Sequence, residues 1–138
     1  MPRIKLKLPK EYHFQTKLKL RIYDLNYGAH MGNDSVLSIA HEARLQFLQS
    51  LNLSEKDFYG LSLLMADSAV VYKNEGFYGD ELVIKIAVSE FYNSGFELFY
   101  LIMHGDNEIA RVKTGLVCFD KSINKIAKIP LDFINNFS

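Results

Sequence analysis

The sequence predicts an α+β domain in which one long helix is wrapped by a curved antiparallel sheet, in the order β-α-β-β-β-β. Three observations support this: an alternating segment near the start, a long amphipathic segment after it, and four further strand-like segments separated by turn residues. A helix and an antiparallel sheet bury each other's apolar faces when the sheet curls around the helix. The chain has 138 residues, 49% of them apolar, so we expect residues 1–138 to form a single domain with one core.

The first element is a strand predicted over Phe14–Asp24. Its side chains alternate between an apolar or small set and a polar, mostly basic set. The first set is Phe14, Thr16, Leu18, Leu20 and Ile22, and the second is Gln15, Lys17, Lys19 and Arg21. This period of two is typical of a strand with one face in the core.

A helix is predicted next, from a cap at Asn33 or Asp34 to about Leu51. One wide arc of its helical wheel is apolar and comprises Val36, Leu37, Ile39, Ala40, Ala43, Phe47, Leu48 and Leu51. Arg44 falls inside this arc, so its guanidinium should meet a carboxylate or carbonyl acceptor, unless its stem carries the charge outward. Glu42 and His41 lie outside it or at its edge and are interpreted as surface or interface residues.

Four strands are predicted to follow, over Leu63–Lys73, Leu82–Phe91, Phe96–His104 and Ile109–Phe119. Glycine and asparagine at 93–95 and 105–107 indicate tight turns that join the last three strands into a meander, and residues 78–80 turn the chain into the first of these three. Pro130 is expected to end the sheet before a short tail. Both faces of the meander carry apolar side chains, so we expect a second copy to cover the outer face in a homodimer or a homotetramer.

Charge and cysteine content narrow the function classes. The 16 basic residues balance 16 acidic ones, so no net charge favours nucleic acid or an anionic membrane. Cys118 is the only cysteine, which excludes an intrachain disulfide, and its apolar surroundings indicate a buried residue. We expect no metal or cofactor, because metal-ligand spacings and glycine-rich phosphate loops are absent. A signal peptide and an apolar membrane span are also absent, so the protein is expected to be cytoplasmic.

Polar residues concentrate between the first strand and the helix, in the run Asp24-Leu25-Asn26-Tyr27-Gly28-Ala29-His30-Met31-Gly32-Asn33-Asp34. A carboxylate, an imidazole and two carboxamides there precede a helix N-terminus whose free N–H groups can polarise a carbonyl. Such groups would suffice for acyl transfer. A structural interpretation fits the same residues: Asp24 and Asn26 as turn formers, His30 as a core residue and Asn33 as a helix cap.

The pattern Asp24-x-Asn26-x-x-x-His30-x-x-Asn33, with Glu42-Ala43-Arg44 in the following helix, resembles the signature of hotdog-fold acyl-CoA and acyl-carrier-protein thioesterases. These include the 4-hydroxybenzoyl-CoA thioesterase group. The resemblance continues through residues 72–73, 79–82 and 109–111 to Pro130. It implies hydrolysis of a CoA or carrier-protein thioester, with Asp24, His30 and Asn33 as catalytic residues and Asn26 and Gly32 beside the substrate. Separately, Tyr27, Met31 and Tyr72, with Tyr23, are predicted as substrate-binding residues that line an acyl tunnel, unless they belong to the core or an interface.

The resemblance also implies individual roles. In bacterial relatives the catalytic aspartate ends the first strand and corresponds to Asp24, whereas in plant-type carrier-protein thioesterases it corresponds to Asn26. We therefore predict Asp24 as nucleophile or general base and Asn26 as an orienting group. His30 is predicted to position the thioester or to orient the attacking group. Backbone N–H groups near Gly32 and Asn33 are predicted to hold the thioester oxygen.

Three alternatives stay open. Some relatives carry their catalytic acid on the central helix, which makes Glu42 a second candidate. A non-catalytic acyl-thioester-binding protein could use the same fold, since a fold alone does not establish activity. A dehydratase or hydratase of the same fold typically has a proline-containing loop after its histidine, and His30 is followed by Met31-Gly32-Asn33 instead.

Overall fold

The computed structural model describes residues 3–137. Its strands are β1 (Phe14–Lys19), β2 (Ser62–Tyr72), β3 (Glu81–Tyr92), β4 (Gly95–His104), β5 (Asn107–Asp120) and β6 (Lys125–Ile126). Its helices are α1 (Asn33–Ser50) and α2 (Leu131–Phe137), and a 3₁₀ turn covers Ile22–Asp24. The predicted order of one strand, one helix and four strands is confirmed, with β6 and α2 as additions.

The strands form one antiparallel sheet in the order β1-β3-β4-β5-β2, with β6 paired to β5. Helix α1 lies on the inner face of this sheet and contacts β1, β3 and β5. The two consecutive hairpins that join β3, β4 and β5 are the predicted meander. The predicted architecture, a curved antiparallel sheet around one long helix, is therefore confirmed.

The main core lies between α1 and the inner face of the sheet. The helix contributes Val36, Ile39, Ala40, Ala43, Phe47 and Leu48. The sheet contributes alternate residues that are fully buried, among them Leu82, Ile84, Ile86, Phe96, Leu98, Tyr100 and Ile102. Cys118 is fully buried as well, as predicted.

The first strand is shorter than predicted. Regular pairing ends at Lys19, and Leu20 adds only backbone hydrogen bonds with Gly79 and Asp80. The chain then enters the 3₁₀ turn, where Ile22 is 68% exposed instead of continuing the inward set. The cause is Asp24, whose carboxylate accepts the Arg21 backbone N–H at 2.8 Å and so offers the backbone an alternative to the ladder. Asp24 thus lies in a turn beyond the strand.

The helix begins where predicted, but its cap differs. Gly32 is the cap residue and Asn33 is the first helical residue, so the prediction that Asn33 or Asp34 caps α1 is wrong. Gly32 lies buried with its N–H donated to the Asp24 carbonyl at 2.8 Å. A Cβ at this position would lie 2.6 Å from an Asp34 carboxylate oxygen, so any larger residue here would require the Asp34 side chain to move.

The two predicted hairpin turns use glycine differently. Gly105 has a φ of +57°, in the left-handed region that the prediction invoked. Gly95 instead belongs to β4, where a Cβ would come within 2.1 Å of the Leu116 carbonyl oxygen on β5. Gly95 is therefore explained by the close approach of two strands and not by turn geometry.

The outer face of the sheet carries a second apolar cluster, formed by Ala87, Phe99 and Leu101. Leu6 and Tyr12, from the segment that precedes β1, pack against it together with Met103. The Arg111 guanidinium anchors this segment by donating a hydrogen bond to the Leu6 carbonyl at 2.6 Å. The cluster therefore does not need a second copy to cover it, because Leu6 and Tyr12 of the same chain pack against it.

The tail predicted after Pro130 is also wrong, because residues 131–137 form α2. Phe133 is fully buried, with its ring centroid 4.6 Å from that of Phe96 and 4.8 Å from that of Phe58. A proline just before the first turn and Asp132 inside it are features that favour a helix start. Helix α2 therefore closes one end of the core.

Arg44 is buried, at 3% exposure, and has the acceptors that its position requires. Its Nε lies 2.9 Å from a Glu55 carboxylate oxygen, and its Nη1 donates to the Tyr100 hydroxyl at 3.0 Å. That hydroxyl lies 2.7 Å from the Thr114 hydroxyl. Burial alone would raise the pKa of Glu55, but hydrogen bonds from His41 and Arg44 outweigh it and the pKa is lowered. The expectation of a carboxylate partner for Arg44 is confirmed.

Candidate active site

The loop between the 3₁₀ turn and α1 is organised by Asn26. Its side-chain oxygen accepts the backbone N–H groups of Gly28 at 2.9 Å and His30 at 3.3 Å. The Asn26 backbone N–H donates to the His30 carbonyl at 2.7 Å. The carboxamide thus holds the loop in shape, which is the turn-forming role that asparagine commonly has. Tyr27, at the tip of this loop, is fully exposed.

Asp24 is a largely buried carboxylate, and the residue is 7% exposed. One carboxylate oxygen, Oδ2, accepts the Arg21 backbone N–H at 2.8 Å and the Arg21 Nε–H at 3.3 Å. The other, Oδ1, receives only a long contact of 3.4 Å from the same guanidinium. Since a carboxylate oxygen can accept two hydrogen bonds, Oδ1 keeps the capacity to bind a water or a substrate proton.

Asp24 borders a cleft of about 230 Å³ between β1 and α1. Its apolar wall is formed by Leu18, Leu20 and Ile39. The polar groups around it are Lys19, Arg21, Asp24, Ser38 and Glu42. We call this the β1–α1 cleft; it places a second carboxylate, Glu42, on the same cavity as Asp24.

His30 lies further along the same loop, next to the segment between β2 and β3. Its Nδ1 is buried and lies 3.0 Å from a Glu75 carboxylate oxygen, close enough for an ion pair but outside the geometry of a good hydrogen bond. The ring is tilted against Phe77, with the centroids 5.2 Å apart. His30 therefore has a carboxylate and an aromatic neighbour, both from the segment between β2 and β3.

A recess of about 270 Å³ opens at the N-terminal end of α1. It is lined by Met31, Asn33, Val36, Tyr72, Lys73, Asn74 and Glu75, and we call it the helix-end recess. The Tyr72 hydroxyl donates to the Asn33 carbonyl at 3.3 Å. Three of the predicted site residues, Met31, Asn33 and Tyr72, thus share one cavity.

The first turn of α1 offers hydrogen-bond donors. Within residues 3–137, the backbone N–H groups of Asn33 and Asp34 donate to no protein acceptor. The Gly32 N–H is already bonded to the Asp24 carbonyl. Free N–H groups at a helix N-terminus attract negative charge, because the helix dipole is positive there. The usable donors therefore lie one residue further along than predicted.

The predicted residues thus fall into two groups around one loop. Asp24 borders the β1–α1 cleft, whereas Met31, Asn33 and Tyr72 border the helix-end recess, and His30 lies beside Glu75. Sequence reasoning missed Glu75, which no local pattern marks, because only the tertiary fold brings it to His30. It also missed Ser38, which appears in the sequence as an ordinary residue on the polar side of α1.

Three further observations concern a thiol nucleophile, a metal centre and a membrane-spanning helix. Burial raises the pKa of the Cys118 thiol to about 11, so it is protonated at neutral pH. Among residues 3–137, no group of three His, Cys, Asp or Glu side chains is arranged to hold a metal ion. Neither α1 nor α2 is both long and apolar enough to cross a membrane.

Comparison with known families identifies this arrangement. The model of a family described as the thioesterase-like superfamily matches residues 20–137, which include the loop, the helix-end recess and strands β2 to β6. The chain belongs to the thioesterase-like superfamily. The resemblance that the motif around Asp24, His30 and Asn33 indicated is therefore confirmed at the level of the superfamily. No curated protein matches the chain in sequence.

Solved structures share the fold of this thioesterase-like protein. A 1,4-dihydroxy-2-naphthoyl-CoA thioesterase from Synechocystis is 20% identical, with a TM-score of 0.80 over 88% of this chain and 93% of that one. A DHNA-CoA thioesterase from Staphylococcus aureus is 19% identical, with a TM-score of 0.76 over 88% and 83%. A thioesterase-superfamily protein from Jannaschia sp. is 20% identical, with a TM-score of 0.78 over 88% and 79%. At these identities the similarity shows the hotdog fold.

Proposed function

We propose that the protein hydrolyses an acyl thioester of CoA or of a carrier protein to a free acid and a thiol. The observation that supports this most directly is the position of Asp24 relative to the helix N-terminus. The Gly32 N–H donates to the Asp24 carbonyl, and Gly32 directly precedes Asn33, whose N–H is free. The backbone of the proposed catalytic residue is thus bonded directly to the residue that precedes the free N–H groups of α1, and its carboxylate borders the β1–α1 cleft next to this bond.

In this proposal the thioester oxygen accepts hydrogen bonds from the backbone N–H groups of Asn33 and Asp34. Negative charge develops on that oxygen as the carbonyl carbon becomes tetrahedral, and the helix dipole stabilises it. Asp24 either attacks the carbon, forming an anhydride that water then cleaves, or removes a proton from the attacking water. In both routes the thiol leaves with a proton and the acyl group is released as the acid.

The remaining residues position the substrate. His30, held between Glu75 and Phe77, orients the thioester, and Asn26 keeps the loop in the shape that allows this. Met31 and Tyr72 line the helix-end recess, which would take the part of the substrate that adjoins the thioester. Gly32 contributes through its backbone, and Tyr27 remains free at the loop tip to meet a bound ligand.

A panel of acyl-CoA esters tests the activity, with short and long aliphatic, aromatic, 1,4-dihydroxy-2-naphthoyl, enoyl and 3-hydroxyacyl esters. We expect release of free thiol from at least one ester, with turnover above the rate without protein. Hydration or dehydration without thiol release would favour the dehydratase or hydratase alternative. Tight binding of acyl-CoA with no reaction of any ester would favour a binding protein.

We also propose that the protein is a homodimer joined through the free edge of β2. The two edges of the sheet differ in character. β1 is short and its exposed positions carry Gln15, Lys17 and Lys19, which oppose edge-to-edge pairing. β2 has eleven residues with Asp67 as its one charged residue, and exposes Leu64 and Met65 at 46% and 48%. A long, apolar edge of this kind favours pairing with an identical strand.

Sedimentation measurements test this proposal. We expect the wild-type protein to sediment as a dimer, or as a tetramer of two such dimers, at micromolar concentration. The double variant Leu64→Lys/Met65→Lys should sediment as a monomer, because it places charges along the β2 edge. The control Gln15→Lys adds a charge to the opposite edge and should keep the wild-type state. A wild-type monomer, or a double variant that still associates, would contradict the β2 interface.

A further inference from the structure

A groove lined by positive charge adjoins the helix-end recess. Its volume is about 560 Å³, and its charged lining residues are Arg3, Lys5, Lys7, Lys73 and Arg111, which define what we call the basic groove. The other described residues that line it are Ile4, Leu6, Val71 and Tyr72, so neither aspartate nor glutamate is among them. In a chain with 16 basic and 16 acidic residues, such a cluster is a local asymmetry of charge.

Most of these cations have no counterion. Within residues 3–137, Arg3, Lys5, Lys7 and Lys73 form no ion pair. Arg111 differs, because its guanidinium pairs with Glu108 and also binds the Leu6 carbonyl. Arg111 therefore holds the N-terminal segment on the sheet, and the segment in turn carries three unpaired cations to one side of the groove.

A second recess beside the N-terminal segment differs from the basic groove in the charge of its lining. It has a volume of about 610 Å³ and also includes Lys5 and Lys7. However, Glu11, Glu90 and Glu97 line it as well, and Lys113 there is paired with Glu97. Acidic and basic groups offset each other in that recess, so the basic groove is the surface that selects an anion.

The basic groove and the helix-end recess are joined. Tyr72 and Lys73, at the end of β2, line both cavities. The Tyr72 hydroxyl also bonds to the Asn33 carbonyl in the first turn of α1. A ligand whose reactive end lies at the helix N-terminus can therefore extend past Tyr72 and place anionic groups among the cations of the N-terminal segment.

We infer that the basic groove binds the phosphate groups of a nucleotide-bearing thiol, so that the acyl group arrives as a CoA ester. This inference rests on the proposed thioester hydrolysis and names the carrier of the acyl group. A concave groove of several hundred Å³ is of the size that takes small ligands. CoA combines a pyrophosphate and a ribose phosphate at one end with a thiol at the other. A carrier protein offers one phosphodiester on a convex surface.

Binding of adenosine 3′,5′-bisphosphate, measured by calorimetry, tests the groove without any reaction. The wild-type protein should bind it, more weakly as salt is added, because exposed charges are screened. The double variant Lys5→Glu/Lys73→Glu should bind it at least about tenfold more weakly. The control Lys121→Glu/Lys125→Glu makes the same charge change at exposed residues outside the groove and should bind as wild type does.

Kinetics on matched esters complete the test. The wild-type preference in kcat/KM for an acyl-CoA over the same acyl-pantetheine should fall about tenfold in Lys5→Glu/Lys73→Glu and persist in the control. Equal kcat/KM for both esters in the wild type would overturn the inference. The inference would also be overturned if the wild type did not bind the bisphosphate but hydrolysed an acyl-carrier protein at a rate that depends on Lys5 and Lys73. A third outcome separates the two proposals. If no thioester is hydrolysed, but the wild type binds the bisphosphate and Lys5→Glu/Lys73→Glu does not, then the proposed hydrolysis is wrong and phosphate binding in the basic groove is supported.

Discussion

Replacing Asp24 with asparagine is expected to lower kcat by about 10²-fold or more on the best ester of the panel. The change removes the negative charge and basicity while keeping a side-chain oxygen that can still accept the Arg21 backbone N–H. The ion pair that is lost joins the largely buried Asp24 to an Arg21 side chain that is 77% exposed, so solvent screens much of the interaction and its loss should cost little stability. The variant should therefore fold and bind substrate, and stopped assays of thiol release measure the loss.

Glu42→Gln is the matched control, because it removes a charge from the same β1–α1 cleft. Glu42 is exposed on α1 and accepts a hydrogen bond from Gln46, which a glutamine side chain can retain. We expect this variant to keep most of the wild-type turnover. A folded Asp24→Asn protein with undiminished hydrolysis, together with an inactive Glu42→Gln protein, would move the catalytic carboxylate to the helix.

Replacing Arg44 with alanine is expected to lower the free energy of unfolding by about 3–5 kcal/mol, the scale for breaking a buried ion pair by removing one partner. The loss includes the contacts of the buried stem and leaves Glu55 and the Tyr100 hydroxyl without their cation. Urea denaturation followed by circular dichroism measures the change. Arg21→Ala, which removes an exposed arginine paired with a carboxylate, should change the stability far less.

The same network gives the wild-type protein a pH dependence with a definite sign. The pKa of Glu55 is lowered in the folded protein, so its contribution is fully present above the unfolded value of about 4.3 and is lost as the pH falls through the folded value. Glu55→Gln should make the free energy of unfolding depend less on pH in this acidic range.

For the Arg44 prediction, an Arg44→Ala protein as stable as Arg21→Ala would show that the buried guanidinium contributes little to the free energy of unfolding.

The periodicity of apolar residues predicted most of the fold, because each strand or helix buries one of its own faces and the repeat therefore appears within its own residues. Phe96, Leu98, Tyr100 and Ile102 alternate with Phe99, Leu101 and Met103, and the two sets do lie on opposite faces. What periodicity could not show was which segment covers the outer set. Leu6 and Tyr12 stand in a stretch without regular structure, so nothing local marks them as partners of Phe99.

The site was predicted unevenly for a similar reason. The loop that carries Asp24, Asn26 and His30 is continuous in sequence, and its motif was enough to identify the superfamily. Their surroundings come from distant parts of the chain, such as Glu75, which lies beside His30. Lys73 likewise shares the helix-end recess with Asn33 only because the chain folds. The Asp24 carboxylate also ends the strand early by accepting the Arg21 backbone N–H. The alternation of apolar and polar residues does not reveal this, because it depends on a single side chain.

Cys118 has a practical meaning for every thiol-release experiment above. Disulfide reagents react with thiolates, and a fully buried thiol with a pKa of about 11 supplies almost none. Since it is the chain's one cysteine, the folded protein adds no background signal, and the colour that develops counts the released carrier alone. Cys118 lies in β5 opposite Leu63 of β2, so labelling it requires the sheet to open. The rate at which Cys118 is labelled in the absence of substrate therefore reports how often the sheet opens.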